Sequence, residues 1–397
     1  MAHILIVGGG IGGLATALAL ADAGAGHRVT VLERRPGFTE LGAGIQLGPN
    51  AFHALDRLGV GDGVRGRAVF IDELRLMDGT DGSLVNVLPL TGPYRRRFGN
   101  PYAVVHRTDL YQPLLDACRA RADRVDLRVS TTVVGYGHDA EGAAHAVLST
   151  GERITADAVL GADGLHSALR AQLVGDGEPR VSGHTIYRSV IPMERVPHEL
   201  RSNAVTLWAG PRWHFVHYPI SGGRFLNLAA TRDDDACVPV AGAPARTEHV
   251  LREFPGLGET PARLLRLGED WKSWVLCDRD PVENWVDGRV ALLGDAAHPM
   301  LQYAAQGACM ALEDAVLLGD LLDCGPRGIP GRLAVYNAAR RQRTARTQLV
   351  ARRMGTQVYH AAGEAAAERN AFISGLSTEE LYEMVGWLHG ARDLTRV

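Results

Sequence analysis

The chain has 397 residues, enough to bury large cores and to build more than one domain. Hydrophobic residues make up 46% and charged residues 22%, which excludes a disordered chain and fits a globular one. A formal net charge of −3 gives no electrostatic reason to bind nucleic acid or an anionic membrane. Five scattered cysteines without CxxC spacing point to a reducing cytoplasm and to no metal site. No run of about 20 apolar residues predicts a membrane span. The short apolar stretch at the start leads into a glycine turn rather than a cleavage site, so it does not read as a signal peptide.

Ile4 to Val7 is an apolar run of the kind that forms a buried parallel strand. It leads into Gly8-Gly9-Gly10-Ile11-Gly12-Gly13, where Gly8, Gly10 and Gly13 spell GxGxxG. An alanine- and leucine-rich helix follows and stops near Gly24. A second strand, Val29 to Leu32, ends on Glu33, with Arg34 next. Strand, glycine turn, helix, strand and acid in this order predict a dinucleotide-binding βαβ unit. The glycines let the backbone approach a pyrophosphate at the helix N-terminus, where free N–H groups and the dipole attract anions. Glu33 is placed to accept from the ribose, and Arg34 beside it counts among the cofactor-binding candidates.

A glycine-rich loop, LGAGIQLGPN, comes next, and residues 69–90 then predict paired strands around a turn at DGTDG. Residues 103–121 begin as a strand and become a helix, with Thr108 the expected cap before Asp109. Strands are expected at 126–134 and 144–149. GERITADAVLGADGLHSALRAQL predicts a strand, a Gly-Asp-Gly turn and a short helix. From 181 to about 231 the pattern is β, and 247–268 reads as helical. GRVALLGDAAHPMLQYAAQGACMALEDAVLLGDLL predicts a buried strand, a Gly-Asp turn, a loop and a long helix. The end, 332–397, is arginine- and alanine-rich and helical.

No repeat or low-complexity linker separates these segments. The expected fold is therefore α/β, with a Rossmann-like dinucleotide-binding domain interleaved with a β-sheet substrate domain. The first takes 1–72, 100–180 and 276–331; the second takes 73–99 and 181–275; 332–397 forms a C-terminal helical segment.

Three Gly/Asp turns fall at the C-terminal ends of predicted parallel strands: Gly8–Gly13, Gly161-Ala162-Asp163-Gly164 and Gly294-Asp295. Ligands sit at that edge in open α/β sheets. One Gly-Asp turn is ordinary loop chemistry. Two of them behind a dinucleotide turn suit a long dinucleotide spread across the edge. Asp295 is placed to accept from a ribityl chain. The helix starting at Gly307 and Ala308 points its N–H groups at an electron-rich ring.

GGGIGG with Glu33, HRTDL at 106–110, GADGLHSALR at 161–170 and GDAAHPMLQYAAQGACMALEDA at 294–315 resemble the single-component FAD-dependent aromatic hydroxylases, the family of p-hydroxybenzoate hydroxylase-type fold. The resemblance covers residues 3–345. Within it, DRDPVENWVDGRVALLGDAAHPMLQY and GPRWHFVHYP are similar to the 3-hydroxybenzoate 6-hydroxylases. The resemblance implies non-covalent FAD in an extended pose. Arg107 would contact its flavin side, Asp163 and Gly164 would lie beside it, and Asp295 would bind the ribityl. The loop around Gly44 would line the isoalloxazine.

It further implies NADH or NADPH as a transient reductant, in keeping with the absence of a second GxGxxG. The implied reaction is monooxygenation of a small phenolic or hydroxybenzoate-like ring by a flavin hydroperoxide formed with dioxygen, para to the phenol group. Salicylate, 6-hydroxynicotinate or a biosynthetic intermediate are alternative substrates. A non-catalytic FAD-binding sensor or scaffold is the alternative of another class. One departure is Cys309, which stands where the family often has asparagine after the flavin-contacting glycine. It puts a side-chain contact in doubt but not the backbone ones.

For the substrate pocket the informative segment is Trp213–Pro219. Strand alternation puts His214, Val216 and Tyr218 on one face and Trp213, Phe215 and His217 on the other. By the resemblance, His214, Tyr218 and Gln302 match the family's pocket. Tyr102 is a further candidate that reads equally as packing. A neutral imidazole beside a phenol can take its proton, and Gln302 could fix the same hydroxyl. The plain alternative for His214 is a hydrogen-bonded sheet histidine. The arginines at 340–353 read as a solvated helix face or a subunit contact, as in a homodimer. His298 is assigned to the cofactor loop, and no histidine spacing points to a metal.

Overall fold

The computed structural model describes residues 1–39 and 44–392. Its first strand, His3–Val7, lies inside a six-stranded sheet between Arg28–Leu32 and Ala158–Gly161, parallel to both. Val125–Arg128 extends the sheet in parallel on one side. Val290–Leu292 does so on the other, with Val286–Asp287 as a short antiparallel edge. Strands covered on both faces need apolar residues on both, which is why Ile4–Val7 and Ala158–Gly161 are unbroken buried runs.

The helix Ile11–Asp22 lies close against the helix Gly307–Leu321 through small residues. A Cβ added to Gly319 would sit 2.8 Å from that of Ala19, and one on Gly12 would sit 3.3 Å from that of Ala311. Backbone bonds lock the strand ends together: Ala162 N–H donates to Val7 O, and Leu293 N–H donates to Gly161 O. The three Gly/Asp turns therefore line one edge of the sheet.

The second sheet has eight strands, in the order Ala241–Pro244, Lys272–Asp278, Arg180–Pro192, Phe225–Ala236, Trp213–Ile220, Ala204–Gly210, Glu73–Asp78 and Leu84–Pro89. The early hairpin joins the later strands by a parallel pairing of Glu73–Asp78 with Ala204–Gly210. One face packs Tyr187, Trp208, Trp213, Phe215 and Leu228 under the helices Thr247–Glu253 and Glu259–Arg266. The other face carries Leu207, Val216, Tyr218 and Ile220 towards Tyr102 and Val104.

Several boundaries differ from the sequence expectation. The strand expected over 126–134 breaks at Ser130, which has φ of +53°. Its halves join different sheets, since Val133–His138 pairs with Ala144–Leu148. Val69–Phe70 pairs with Ala103–His106 and does not continue into the hairpin. The helix Arg107–Arg119 is capped by His106, not Thr108: its Nδ1 accepts from Thr108 N–H at 3.3 Å. The helical stretch 247–268 is interrupted around Pro255 and Gly256, the latter at φ +76°.

At the C-terminal end, Ile329–Arg353 runs into a π-helical turn, Met354–Tyr359, followed by Gly363–Ser374 and Thr378–His389. The extra residue per turn re-aims the chain, and Tyr359 and His360 then face inward against His214. Among the described residues no helix is long and apolar enough to cross a membrane.

Candidate active site

The glycine turn separates fold from binding. Gly8 has φ of +106°, and a Cβ there would lie 2.3 Å from Ala162 O. A Cβ on Gly13 would lie 2.0 Å from Gly8 O. Both are required for the strand and helix to meet. Gly10 has extended backbone and open space where its Cβ would point. Glu33 is held in place by its neighbours: Oε2 accepts from Gly9 N–H and Oε1 from Arg35 N–H, both at 2.9 Å. A carboxylate keeps further lone pairs for a ribose. Arg34 beside it is exposed. A cavity of about 800 Å³, bounded by Arg28, Phe38, Asp126, Leu127 and Val129, adjoins this unit.

On the next turn, Asp163 Oδ2 accepts from Leu169 N–H at 3.3 Å. Its Oδ1 is buried with no partner, and burial pushes the carboxyl above its ordinary range. Gly164 needs its φ of +79°. Asp295 is exposed in the turn Gly294–Ala296 and faces the start of the helix Gly307–Leu321: a Cβ on Gly307 would sit 3.9 Å from its Oδ1. No side chain caps that helix. Gln306 at the cap position is instead bonded by Asn50, at 3.0 Å, so the first amides, among them those of Gly307 and Ala308, have no helical partner. Cys309 turns inward, with Sγ 3.9 Å from Gln46 O, and burial pushes its thiol up to about 12. An open Gly10, an orphaned Asp163 oxygen and an uncapped helix along one edge fit an extended dinucleotide with an electron-rich ring.

The substrate side is built by register. His214 pairs with Thr231, Val216 with Ala229, and Tyr218 with Asn227. In turn Thr231 pairs with Ile186 and Ala229 with Arg188. Directly opposed residues share a face, so Arg188 and Asn227 stand on the His214 face. Gln302, in the turn Gln302–Ala304, reaches that face: Arg188 donates to its Oε1, and its Nε2 donates to Thr231 Oγ1 at 3.4 Å.

Tyr218 donates to Gly44 O at 2.8 Å, and Asn227 Oδ1 accepts from Gly44 N–H at 3.0 Å. Gly44 admits no side chain, since a Cβ would lie 2.6 Å from the Tyr218 ring. The rest of the loop before it, 40–43, lies outside the described residues. Tyr102 packs on His389 and bonds Gln46 at 2.5 Å. Arg107 opens its helix near Arg188.

Burial sets the charge states. It pushes His214 well below its ordinary value, with His360 and His184 adding to the effect. It raises Tyr218 to about 12, against the pull of Arg188. It lowers Arg188, which also faces Arg107. Among the described residues no carboxylate pairs with Arg188. His217 lies on the opposite face, stacked on Trp208, and is pushed down to about 3 by burial.

One reading needs correction. Arginines 340, 343 and 352 are not a solvated face. Arg340 is buried and bonds Asp314 and Glu313, Arg343 also bonds Glu313, and Arg352 bonds Asp278. Buried carboxylates draw them in. Among the described residues the fold also brings together a group that is remote in sequence, His184, Asp233 and His360, with one polar side-chain atom of each within 4.8 Å of the others. Its carboxylate is already bonded by Arg212 at 3.0 Å.

Arg188, Asn227, Gln46 and His360 were not singled out in the sequence. Alternation along Arg180–Pro192 would have grouped Arg188 with Ile186, but only cross-strand register puts it beside His214. Nothing local marks His360.

The fold and its cofactor edge define an FAD-dependent aromatic-ring monooxygenase. The chain belongs to the FAD binding domain family, which it matches over residues 1–233 and 257–351. It is 48% identical over 389 residues to 3-hydroxybenzoate 6-hydroxylase 1 of Aquipseudomonas alcaligenes, covering 98% of this chain and 97% of that protein. It is 43% identical over 387 residues to 3-hydroxybenzoate 6-hydroxylase of Polaromonas naphthalenivorans (strain CJ2), covering 98% and 95%. A salicylate hydroxylase substrate complex superposes with a TM-score of 0.83 at 27% identity, over 99% of this chain and 96% of that one. Klebsiella pneumoniae HpxO complexed with FAD and uric acid gives 0.82 at 25% identity, over 96% and 95%.

Proposed function

We propose that the chain hydroxylates a small phenolic carboxylate of the 3-hydroxybenzoate type, para to the phenol, with NADH or NADPH and dioxygen. The observation that carries this is Arg188: a half-buried guanidinium on the face of His214 and Tyr218, with no carboxylate of the described chain paired to it. Even a half-buried cation without a counter-charge carries a desolvation cost, and an aromatic carboxylate supplies the counter-charge. The similarity to the 3-hydroxybenzoate 6-hydroxylases supports the same substrate class.

FAD, when bound, accepts electrons from the nicotinamide and activates dioxygen. Gly8, Gly10, Gly13, Glu33, Arg34, Asp163, Gly164, Asp295, Gly307 and Ala308 would hold it along the sheet edge, with Arg107 and Gly44 towards its flavin end. His214 takes the phenol proton and so enriches the ring. Gln302, bonded by Arg188, orients the hydroxyl. Tyr218, Val216 and Tyr102 enclose the ring and exclude water, which protects a reactive oxygen species from side reactions.

A substrate panel tests this: 3-hydroxybenzoate, 4-hydroxybenzoate, salicylate, 6-hydroxynicotinate and unsubstituted phenol, scored by hydroxylated product per NADH. The 3-hydroxybenzoate should be the best substrate. Arg188→Gln should raise its KM about 10- to 100-fold, the worth of a charged hydrogen bond, while changing little for phenol. Phenol outperforming every carboxylate, or an unchanged KM in Arg188→Gln, rejects the reading. Bound flavin without turnover of any aromatic would favour a sensor or scaffold.

A further inference from the structure

We infer that His360, delivered by the C-terminal segment, is the positioning residue that receives a proton from His214, and that Asp233 beside Arg212 is where this proton leaves the protein. The inference rests on the reading above that His214 accepts the phenol proton. His214 Nδ1 and His360 Nε2 are 2.7 Å apart, and the two buried rings are near-parallel at 29°. Nitrogens at that distance share one proton, so one ring donates and the other accepts.

Beyond His360 the path continues. A ring nitrogen of His360, one of His184 and a carboxylate oxygen of Asp233 lie within 4.8 Å of one another. His360 Nδ1 is buried with no partner. The Asp233 side chain keeps 28% of its surface, and the exposed Arg212 donates to it at 3.0 Å. The Arg212 backbone N–H in turn donates to His360 O at 3.1 Å. A buried imidazole pair thus runs from the substrate face to a carboxylate at the surface. The groups facing the pair are Tyr303, Tyr359 and His184, with Asp233, Asp234, Arg212 and Arg180 around its outer end.

The chemistry requires such an exit. Burial disfavours an imidazolium at His214, so a proton accepted there has to move on. The phenol O–H bond breaks and an N–H bond forms at His214 Nε2. The His214 Nδ1 proton passes to His360 Nε2, and the His360 Nδ1 proton passes through a bridging water to the Asp233 carboxylate, one oxygen of which lies within 4.8 Å of a His360 ring nitrogen. One proton enters and one leaves, both rings end neutral with exchanged tautomers, and no electron moves.

The test uses FAD-loaded enzyme with 3-hydroxybenzoate. Hydroxylation rate, product per NADH and solvent deuterium isotope effect are measured for wild type, His214→Ala, His360→Gln, His360→Ala and Asp233→Asn, with His217→Ala as the opposite-face control. His360→Gln should keep its flavin and bind substrate as wild type does, yet hydroxylate about tenfold or more slowly and release peroxide. Added imidazole should restore His360→Ala, which a merely structural histidine would not allow. Asp233→Asn changes a half-exposed carboxylate and should show the same slowing with a larger isotope effect. Wild-type rates in the His360 and Asp233 variants beside an impaired His214→Ala overturn the relay and leave His214 as the base. A loss in His360→Ala that imidazole does not relieve also overturns it. Full coupling in His214→Ala overturns both readings.

Discussion

Burial keeps a set of histidines uncharged. His217, His360 and His389 are each pushed down to about 3, with burial as the largest cause in every case. Arg75 adds to the effect at His217, and Arg343 does so at His389. In the unfolded chain these rings titrate near about 6.5. Between those values the unfolded state binds more protons, so stability present above about pH 6.5 is lost as pH falls towards 3. Each histidine should contribute a slope on the order of 1 kcal/mol per pH unit. Urea unfolding between pH 8 and pH 5 should show a steady decline below pH 6.5. His217→Phe should remove one histidine's share of it, about 1 kcal/mol per pH unit, since an apolar ring fits beside Trp208 and Phe215. A flat profile through pH 5.5 would show that these rings are protonated in the fold. The contrast between His214 and His217 was visible in the sequence, because strand side chains alternate with period two. The partner of His214 was not: His360 is remote in the chain, and no local pattern encodes a contact at that range.

For elements, the N-terminal strand–turn–helix unit separates packing from binding. A side chain at Gly13 collides with Gly8 O, whereas one at Gly10 meets open space. Gly13→Ala should therefore destabilise the protein by about 1–3 kcal/mol and lower flavin content with it. Gly10→Ala should melt near wild type but retain FAD poorly, because its new methyl occupies the phosphate side of the turn. Thermal melting and bound flavin, read on both variants, decide the point. Equal flavin retention in Gly10→Ala would remove the pyrophosphate from this turn. This unit was legible because its glycine spacing is demanded by local sterics. The strand expected over 126–134 divides around Ser130, between Val125–Arg128 and Val133–His138, with no glycine or proline to mark the break. The π-helical turn at 354–359 gave no signal, and it is the element that swings Tyr359 and His360 inward.

Over the whole molecule, the C-terminal segment is part of the core. Burial alone would raise Glu313 and Asp314, yet Arg340, Arg343 and His298 hold both carboxyls below their ordinary ranges. Arg340 bonds both acids, and Arg343 ties Glu313 to the carbonyls of Trp387 and Leu388 in the last helix. Arg340→Met would leave two buried carboxylates short of a partner and should cost about 3–5 kcal/mol, read by urea unfolding of the flavin-loaded protein. A loss under 1 kcal/mol would mean that Arg343 and His298 carry the pair unaided.

The sequence alone determined the parallel sheet, its glycine turn and the position of the Gly/Asp elements. Each is set by backbone sterics and by the apolar runs of strands covered on both faces, which are properties of a few adjacent residues. It also determined which side of Trp213–Ile220 His214 occupies. Only the tertiary structure decided what stands opposite that side. Arg188 and Asn227 arrive there by cross-strand register, and His360 by a helix that returns from the far end of the chain. Arg340 illustrates the reason. Its side chain is that of a surface residue, and it is buried because two carboxylates on another helix supply the charge that makes burial affordable.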